Sequence, residues 1–332
     1  MGKLSNKELK TLLSCIKKDS RVIIPPTIGY DSGVHLLDGK YMVVASDPCT
    51  GVPEEWFGWL LINYAASDVA LSGAKPEFCT INLLGPLSTK PATFQKIMEQ
   101  TCRAADELNI AIVRGHTGMY DSLSDLLGVA TVYGSVQPEK LITPGNAKPG
   151  DLILCTKPLG LETATNFSLT DKVFAQKLFG VEQQENLSKQ VHMQTCVKEA
   201  MQLAEISGVH AMHDATEGGF VAALNELAEA SKVGFRVNWE KIPVCKEVLA
   251  LQDYFKFIDE QVLAASSTGT ILAAVDPQAQ EKVKATLRKN GLSACFLGQF
   301  TESKERVLIK TGKETSFPQV ADDPYALILS RK

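Results

Sequence analysis

The chain has 332 residues, 45% of them hydrophobic and 22% charged, with a formal net charge of −4. This is the make-up of an ordinary globular protein long enough for two cores, and it excludes the basic footprint that nucleic-acid binding needs. Uncharged stretches such as Trp56–Ser67 and Gln261–Val275 are too short to span a bilayer.

Met1 to Lys18 is lysine-rich and has no apolar core of signal-peptide length, and Asn6 stands where a myristoylation pattern needs Ser or Thr. Asp31 lies in Ile28-Gly29-Tyr30-Asp31-Ser32-Gly33-Val34, a turn before a strand. The strand Tyr41–Ser46 closes on Asp47, and Pro48 stops its ladder. The helix Glu55–Ser72 is apolar on nearly every face and is therefore buried; Gly73 and Pro76 end it. Asp68 sits inside it, and a buried carboxylate needs a cation, an arginine or a set of N–H donors. Next come strand Phe78–Leu84, helix Ala92–Leu108 and strand Ile110–Val113. That strand breaks at Gly115-His116-Thr117-Gly118, a turn with amides, a hydroxyl and an imidazole to offer one ligand. Strand Leu127–Ser135 follows.

Thr143–Asp151 packs two prolines and two glycines between apolar runs, which predicts a boundary between domains at 1–148 and 149–332. Beyond it, the spacing predicts strand Leu152–Thr156, then an irregular Gly160–Gln190 rich in Thr, Asn, Lys and Gln. This stretch reads as a surface insertion, the alternative being a loop that closes over a ligand. Helix Lys189–Ser207, strand Val209–Met212, helix Gly218–Ser231, strands Gly234–Asn238 and Thr270–Val275, helix Gln278–Asn290 and strand Arg306–Ile309 complete the pattern. Both halves mix strands and helices, so the fold class is α/β or α+β.

His213-Asp214-Ala215-Thr216-Glu217-Gly218-Gly219 is the most informative segment. A strand delivers two carboxylates and two glycines to a helix start. Such starts attract phosphate, while the carboxylates repel it, so a divalent cation belongs between them. His210 and His213 face opposite sides of the strand and share no metal. Ser266-Ser267-Thr268-Gly269-Thr270 reads as a hydroxyl-rich turn before a strand, with a nucleotide-pocket lining as the alternative. No P-loop, dinucleotide fingerprint, nucleophile elbow or H-E-x-x-H occurs. The eight cysteines (Cys15, Cys49, Cys79, Cys102, Cys155, Cys196, Cys245 and Cys295) form no C-x-x-C pair and read as reduced thiols of a cytoplasmic protein.

Taken together these segments resemble the superfamily of aminoimidazole ribonucleotide synthase, thiamin-monophosphate kinase, selenophosphate synthetase and the hydrogenase maturation factor HypE. Gly29-Tyr30-Asp31-Ser32-Gly33-Val34 looks like its first G-x-D-A-A-V turn, and Ser46-Asp47-Pro48 like the end of its second strand. Ser67-Asp68-Val69-Ala70-Leu71-Ser72-Gly73-Ala74-Lys75-Pro76 is close to the N-D-x-A-x-x-G-A-x-P signature. Gly115-His116-Thr117 occupies the G-D/E-T position, and Met212–Gly219 resembles the HypE-type R-D-P-T-R-G-G segment.

The resemblance implies a two-domain PurM-like architecture, with amino-terminal sheets pairing into a barrel in a homodimer and ATP bound in the groove between the domains. It implies Mg²⁺ on Asp31, Asp47, Asp68 and Asp214, with Asp214 and Glu217 as catalytic carboxylates. It implies ATP contacts from Gly115, His116, Thr117, Thr216, Gly218 and Gly219. The implied activity is phosphoryl transfer from ATP to an acceptor. The alternative is a non-catalytic ATP-binding maturation factor or scaffold for a metalloenzyme. Two departures favour that alternative: the chain ends Ile328-Leu329-Ser330-Arg331-Lys332 without the Pro-Arg-x-Cys tail of HypE, and His116 replaces a metal-binding carboxylate. Imidazole suits Mg²⁺ poorly. The glycine-rich amino-terminal segment and early Cys of selenophosphate synthetase are missing as well.

Overall fold

A computed structural model describes residues 4 and 6–329 of the protein; the Gly2 pattern and the terminal Ser330-Arg331-Lys332 lie outside the described residues. The chain divides into two compact units. The smaller comprises Lys18–Pro26 and Asp31–Leu141; the larger comprises the segment to Lys17, Thr27–Tyr30 and the chain from Ile142 onward. Helix α1 (Asn6–Leu13) belongs to the larger unit.

In the smaller unit the elements run β1 (Val22–Ile24), β2 (Gly33–Leu37), β3 (Lys40–Cys49), α2 (Phe57–Leu71), β4 (Phe78–Pro86), α3 (Pro91–Leu108), β5 (Ala111–Tyr120) and β6 (Leu127–Val136). They form one sheet in the order β1-β2-β3-β6-β4-β5, in which only β4 and β5 are parallel. Helix α2 packs on β3 and β6, and every residue of it except Tyr64 is buried. Because side chains alternate along a strand, Asp47 shares the face of Val43, Ala45 and Cys49, all buried. Cys49 Sγ meets the carbonyl of Phe57, which fixes that face as the one α2 covers. The opposite face carries Met42, Val44, Phe78, Leu84, Val129 and Tyr133 half-exposed, with Phe78 and Tyr133 stacked at 5.5 Å.

In the larger unit the order is β7 (Leu152–Cys155), α4 (Leu161–Thr170), α5 (Lys172–Phe179), α6 (Val181–Ser188), α7 (Val197–Ala204), β8 (Val209–Ala215), α8 (Gly219–Ser231) and β9 (Gly234–Asn238). Then come α9 (Lys246–Phe255), α10 (Asp259–Leu263), β10 (Ser267–Val275), α11 (Gln280–Lys289), β11 (Cys295–Thr301), β12 (Arg306–Lys310), β13 (Lys313–Ser316) and α12 (Tyr325–Leu329). The sheet order is β13-β12-β9-β11-β7-β10-β8, again mixed. Helix α8 seats Phe220, Leu224 and Leu227 in a core with Phe235, Leu272, Phe300 and Phe317. No helix among the described residues is long and apolar enough to cross a membrane.

Three local expectations are corrected. Gly160–Gln190 is not an irregular insertion but the helices α4, α5 and α6. Its polar residues pair inside the unit: Gln184 Nε2 donates to the Ser168 carbonyl at 2.9 Å, and Gln194 Nε2 to Asn166 Oδ1 at 2.9 Å. The expected helix Lys189–Ser207 is broken between a short 3₁₀ turn (Lys189–Met193) and α7. Buried Lys157 pins the break by donating to the carbonyls of Met193 (3.0 Å) and Thr195 (2.6 Å), and it pairs with buried Glu199. Third, Ser267–Thr270 is strand, not turn. Pairing jumps from Ser267–Ala215 to Ile271–Asp214, so Thr268, Gly269 and Thr270 bulge out of the ladder with β8.

Candidate functional site

The smaller unit carries Asp31, Asp47 and Asp68 on three different elements. Asp31 ends the loop before β2, Asp47 lies on the α2-facing side of β3, and Asp68 is buried in the last turn of α2. A hydrogen bond of 2.7 Å between Ser32 Oγ and Ser72 Oγ ties the Asp31 loop to the end of α2, one turn beyond Asp68. Gly33, two residues after Asp31, pairs with Val44 on β3, three residues before Asp47. Local structure thus brings all three acidic segments to one region of this unit. The donor set is oxygen only, which suits a hard dication such as Mg²⁺.

Gly115-His116-Thr117 does not form a turn. The strand runs on through it as β5, in register with Ile81, Asn82 and Leu83 of β4. A Cβ at Gly115 would meet the Ile81 carbonyl oxygen at 2.7 Å, so the glycine answers to β4. His116 Nε2 lies 2.8 Å from Tyr120 Oη. Gly115 looks like a break in the sequence, but it permits close pairing with β4, while a Cβ at Gly118 would meet the Tyr120 and His116 side chains of its own strand.

In the larger unit, β8 extends past Met212 to Ala215, which places His213 and Asp214 in the ladder and buries both. His213 Nδ1 lies 2.8 Å from the Asp214 carbonyl and Nε2 lies 3.0 Å from Glu226 on α8. His210 instead meets Asp151 at 2.9 Å and Lys148 at 3.1 Å. The two histidines therefore serve different partners, as the strand spacing requires. After β8 the chain turns through Thr216 and exposed Glu217 into Gly218 (φ 79°) and Gly219 (φ 54°). Gly219 also lies so close to the end of α10 and the link beyond it that a Cβ would meet the Ala264 carbonyl carbon at 2.7 Å. Only glycine fits that left-handed, crowded position.

The amides at this turn are engaged within the unit. Gly219 N–H donates to the Thr216 carbonyl at 2.8 Å, and Gly218 N–H donates to Asp323 Oδ2 at 3.3 Å. Asp323 also accepts from Ser266 Oγ, and its Oδ1 accepts from the Tyr325 amide at 2.8 Å. Burial raises its carboxyl above the ordinary range, against the pull of those hydrogen bonds. Beside it, Glu162 is buried in the first turn of α4 and accepts from the amide (3.3 Å) and hydroxyl of Thr268. Burial pushes Glu162 up to about 7; the Thr268 hydroxyl opposes the shift, and the charges of Asp323 and Glu217 add to it. A group near 7 exchanges protons at neutral pH.

Sequence reasoning missed Glu162 and Asp323. One signal existed: the hydroxyl run Ser266-Ser267-Thr268, which supplies partners to both carboxyls and to the Gly160 amide (2.6 Å to Ser267 Oγ).

Comparison with known proteins gives a consistent result. The model of the amino-terminal domain of AIR synthase related protein matches residues 29–136, and that of the carboxy-terminal domain matches residues 148–310. A putative hydrogenase expression/formation protein of Methanocaldococcus jannaschii is 27% identical over 256 residues, covering 76% of this chain and 73% of that one. Selenide, water dikinase of Myxococcus xanthus is 28% identical over a 342-residue alignment, covering 91% and 92% of the two chains. Among solved structures, that of hydrogenase maturation protein HypE in complex with ATP superposes with a TM-score of 0.72 at 16% identity, over 98% of this chain and 97% of that one. At that identity the likeness is one of fold.

Proposed function

The chain belongs to the AIR synthase related protein family, with two PurM-like domains, and from that premise we propose that it is an ATP-dependent enzyme that transfers a phosphoryl group to an acceptor oxygen or comparable nucleophile. The observation that carries the reading is the β8–Thr216–Gly219–α8 passage, a strand that delivers Asp214 and Glu217 to a glycine-built helix start. Helix starts of this kind take phosphate, and family relatives include ATP-bound and dikinase proteins.

In this reading Asp31, Asp47 and Asp68 would hold Mg²⁺ in the smaller unit and Asp214 would offer its carboxylate to Mg²⁺ in the larger, a role the oxygen donors of each fit. When bound, the ion neutralises charge on the transferring phosphoryl group. Thr216, Gly218 and Gly219 orient the phosphates. Glu217, exposed at the turn and not buried like Asp214, accepts the proton of the incoming acceptor. Of Gly115, His116 and Thr117, His116 and Thr117 have polar side chains to offer the nucleotide, and the Tyr120 contact orients His116.

We also read the protein as a cytoplasmic homodimer. Support comes from eight cysteines left as thiols, and from a smaller-unit sheet with one half-exposed apolar face and an edge strand, β5, exposed almost throughout. A non-catalytic maturation scaffold is the second reading, favoured by His116 at the position where the motif resemblance expects a carboxylate and by the hydrogenase expression/formation relative. Tight nucleotide binding without turnover on any acceptor would select it.

Titration calorimetry with Mg-ATP tests the site. Asp68→Asn should weaken binding at least about tenfold, roughly 1.4 kcal/mol, with the circular dichroism of the folded chain retained. Unchanged affinity would reject Asp68 as a ligand.

A further inference from the structure

The carboxy-terminal segment crosses the start of α8 as a strap anchored at both ends. At one end Phe317 is buried in the α8 core, edge-on to Phe220 and Phe235 at 5.7 and 5.0 Å. At the other, Ile328 is buried with Phe167, Ala175, Leu251 and Phe257, and Tyr325 Oη accepts from Asn166 Nδ2 at 2.7 Å. Between the anchors, Asn225 of α8 donates to the Pro318 carbonyl at 2.9 Å. The strap therefore holds Asp323 in a fixed place, where its carboxylate accepts from the Gly218 amide and from Ser266.

A carboxylate on the amide at a helix start does what a phosphate oxygen does there: it places negative charge against the positive end of the helix dipole. The charges of Asp323 and Glu217 already lie close enough to raise the proton affinity of Glu162. A phosphate arriving at Gly218 meets both an occupied donor and a like charge. It binds only by displacing the carboxylate or by waiting for its release.

We propose that Asp323 is a built-in anionic occupant of the α8 start, so that seating of the 317–328 strap and binding of a nucleotide phosphate exclude one another. The proposal rests on the reading of the Thr216–Gly219 turn as a phosphate site, and it adds regulation of that site. Its consequence is coupling: nucleotide frees Asp323, which releases the Tyr325 amide and loosens α12 from Asn166. Whatever holds the strap down lowers nucleotide affinity by the same factor.

The test uses the full chain, Mg-ATP calorimetry and amide hydrogen exchange. Asp323→Asn removes the charge and keeps an acceptor oxygen, so the strap stays folded. It should bind Mg-ATP at least about fivefold tighter than the wild type, from loss of one nearby like charge. Ser266→Ala, which takes away one of the carboxylate's partners and leaves its charge, should move affinity the same way by a smaller factor. In the wild type, Mg-ATP should speed exchange of the Tyr325 and Ile328 amides. Equal or weaker binding by Asp323→Asn, with the wild type binding normally, overturns the proposal and makes Asp323 a ligand or a bystander. Slower exchange in the strap on adding Mg-ATP overturns it too. If neither protein binds Mg-ATP, the nucleotide reading itself has failed and the competition falls with it.

Discussion

Helices α2 and α4 each bury one acid, and they do so in opposite ways. Around Asp68, α2 is almost wholly apolar. Around Glu162, α4 buries Thr163, Thr165, Asn166 and Ser168, and the acid takes two hydrogen bonds from Thr268. An acid in an apolar helix has no local reason to be there, and it points outward to function. An acid in a polar, satisfied helix is absorbed by its surroundings, and its altered proton affinity emerges only from the fold.

The largest effect expected from breaking this comparison is at α2. Gly58 lets α3 cross so closely that a Cβ would lie 2.2 Å from the Ile97 carbonyl oxygen. Gly58→Ala should cost about 3 kcal/mol of stability, read from urea denaturation, because a backbone atom cannot step aside as a flexible side chain can. Next comes Glu162→Gln. The Glu162 carboxyl rises from 4.5 to about 7 on folding, so between those pH values the folded chain keeps a proton that the unfolded chain has lost. Stability from this group is complete below about pH 4.5, falls as pH rises towards 7, and stays low above it, the reverse of an ion-paired acid. The glutamine variant should be more stable than wild type by up to about 3 kcal/mol at pH 8 and gain nothing at pH 4, as thermal melts across pH would show. Smallest is Ser32→Ala, which cuts the Ser32–Ser72 bond for less than about 1 kcal/mol; a loss of Mg-ATP affinity exceeding its loss of stability would show that the bond positions Asp31.

The same contrast explains what could be read from the chain. Periodicity and stop signals disclosed α2, α3, β4, β6 and α8, because each couples an apolar run or face to a nearby Gly or Pro; β3 was legible as a strand, but its ladder runs on through Pro48 to Cys49 where the proline was expected to stop it. Asp68 stood out by being alone in an apolar run. The passage from β8 into α8 was legible as strand, glycine turn and helix, although the strand reaches Ala215 and not Met212. By contrast, Gly115 was misread because a glycine that accommodates a neighbouring strand looks identical to one that breaks its own. Glu162 and Asp323 were invisible, since their partners come from Thr268, Ser266 and Gly218, remote in sequence from at least one of them. Helices α4 to α6 were missed because polar residues that pair with one another mimic a solvated loop.

The bulge of Thr268, Gly269 and Thr270 in β10 has a reach beyond its own strand. One short peptide stretch feeds a hydroxyl to Asp323 from Ser266, a second to Glu162 from Thr268, and a third to the Gly160 amide from Ser267. Deleting a single residue there would rotate all three hydroxyls out of aim together. The spacing of this peptide, more than the identity of any one side chain, is what holds two acids from distant segments close enough for the charge of Asp323 to raise the proton affinity of Glu162.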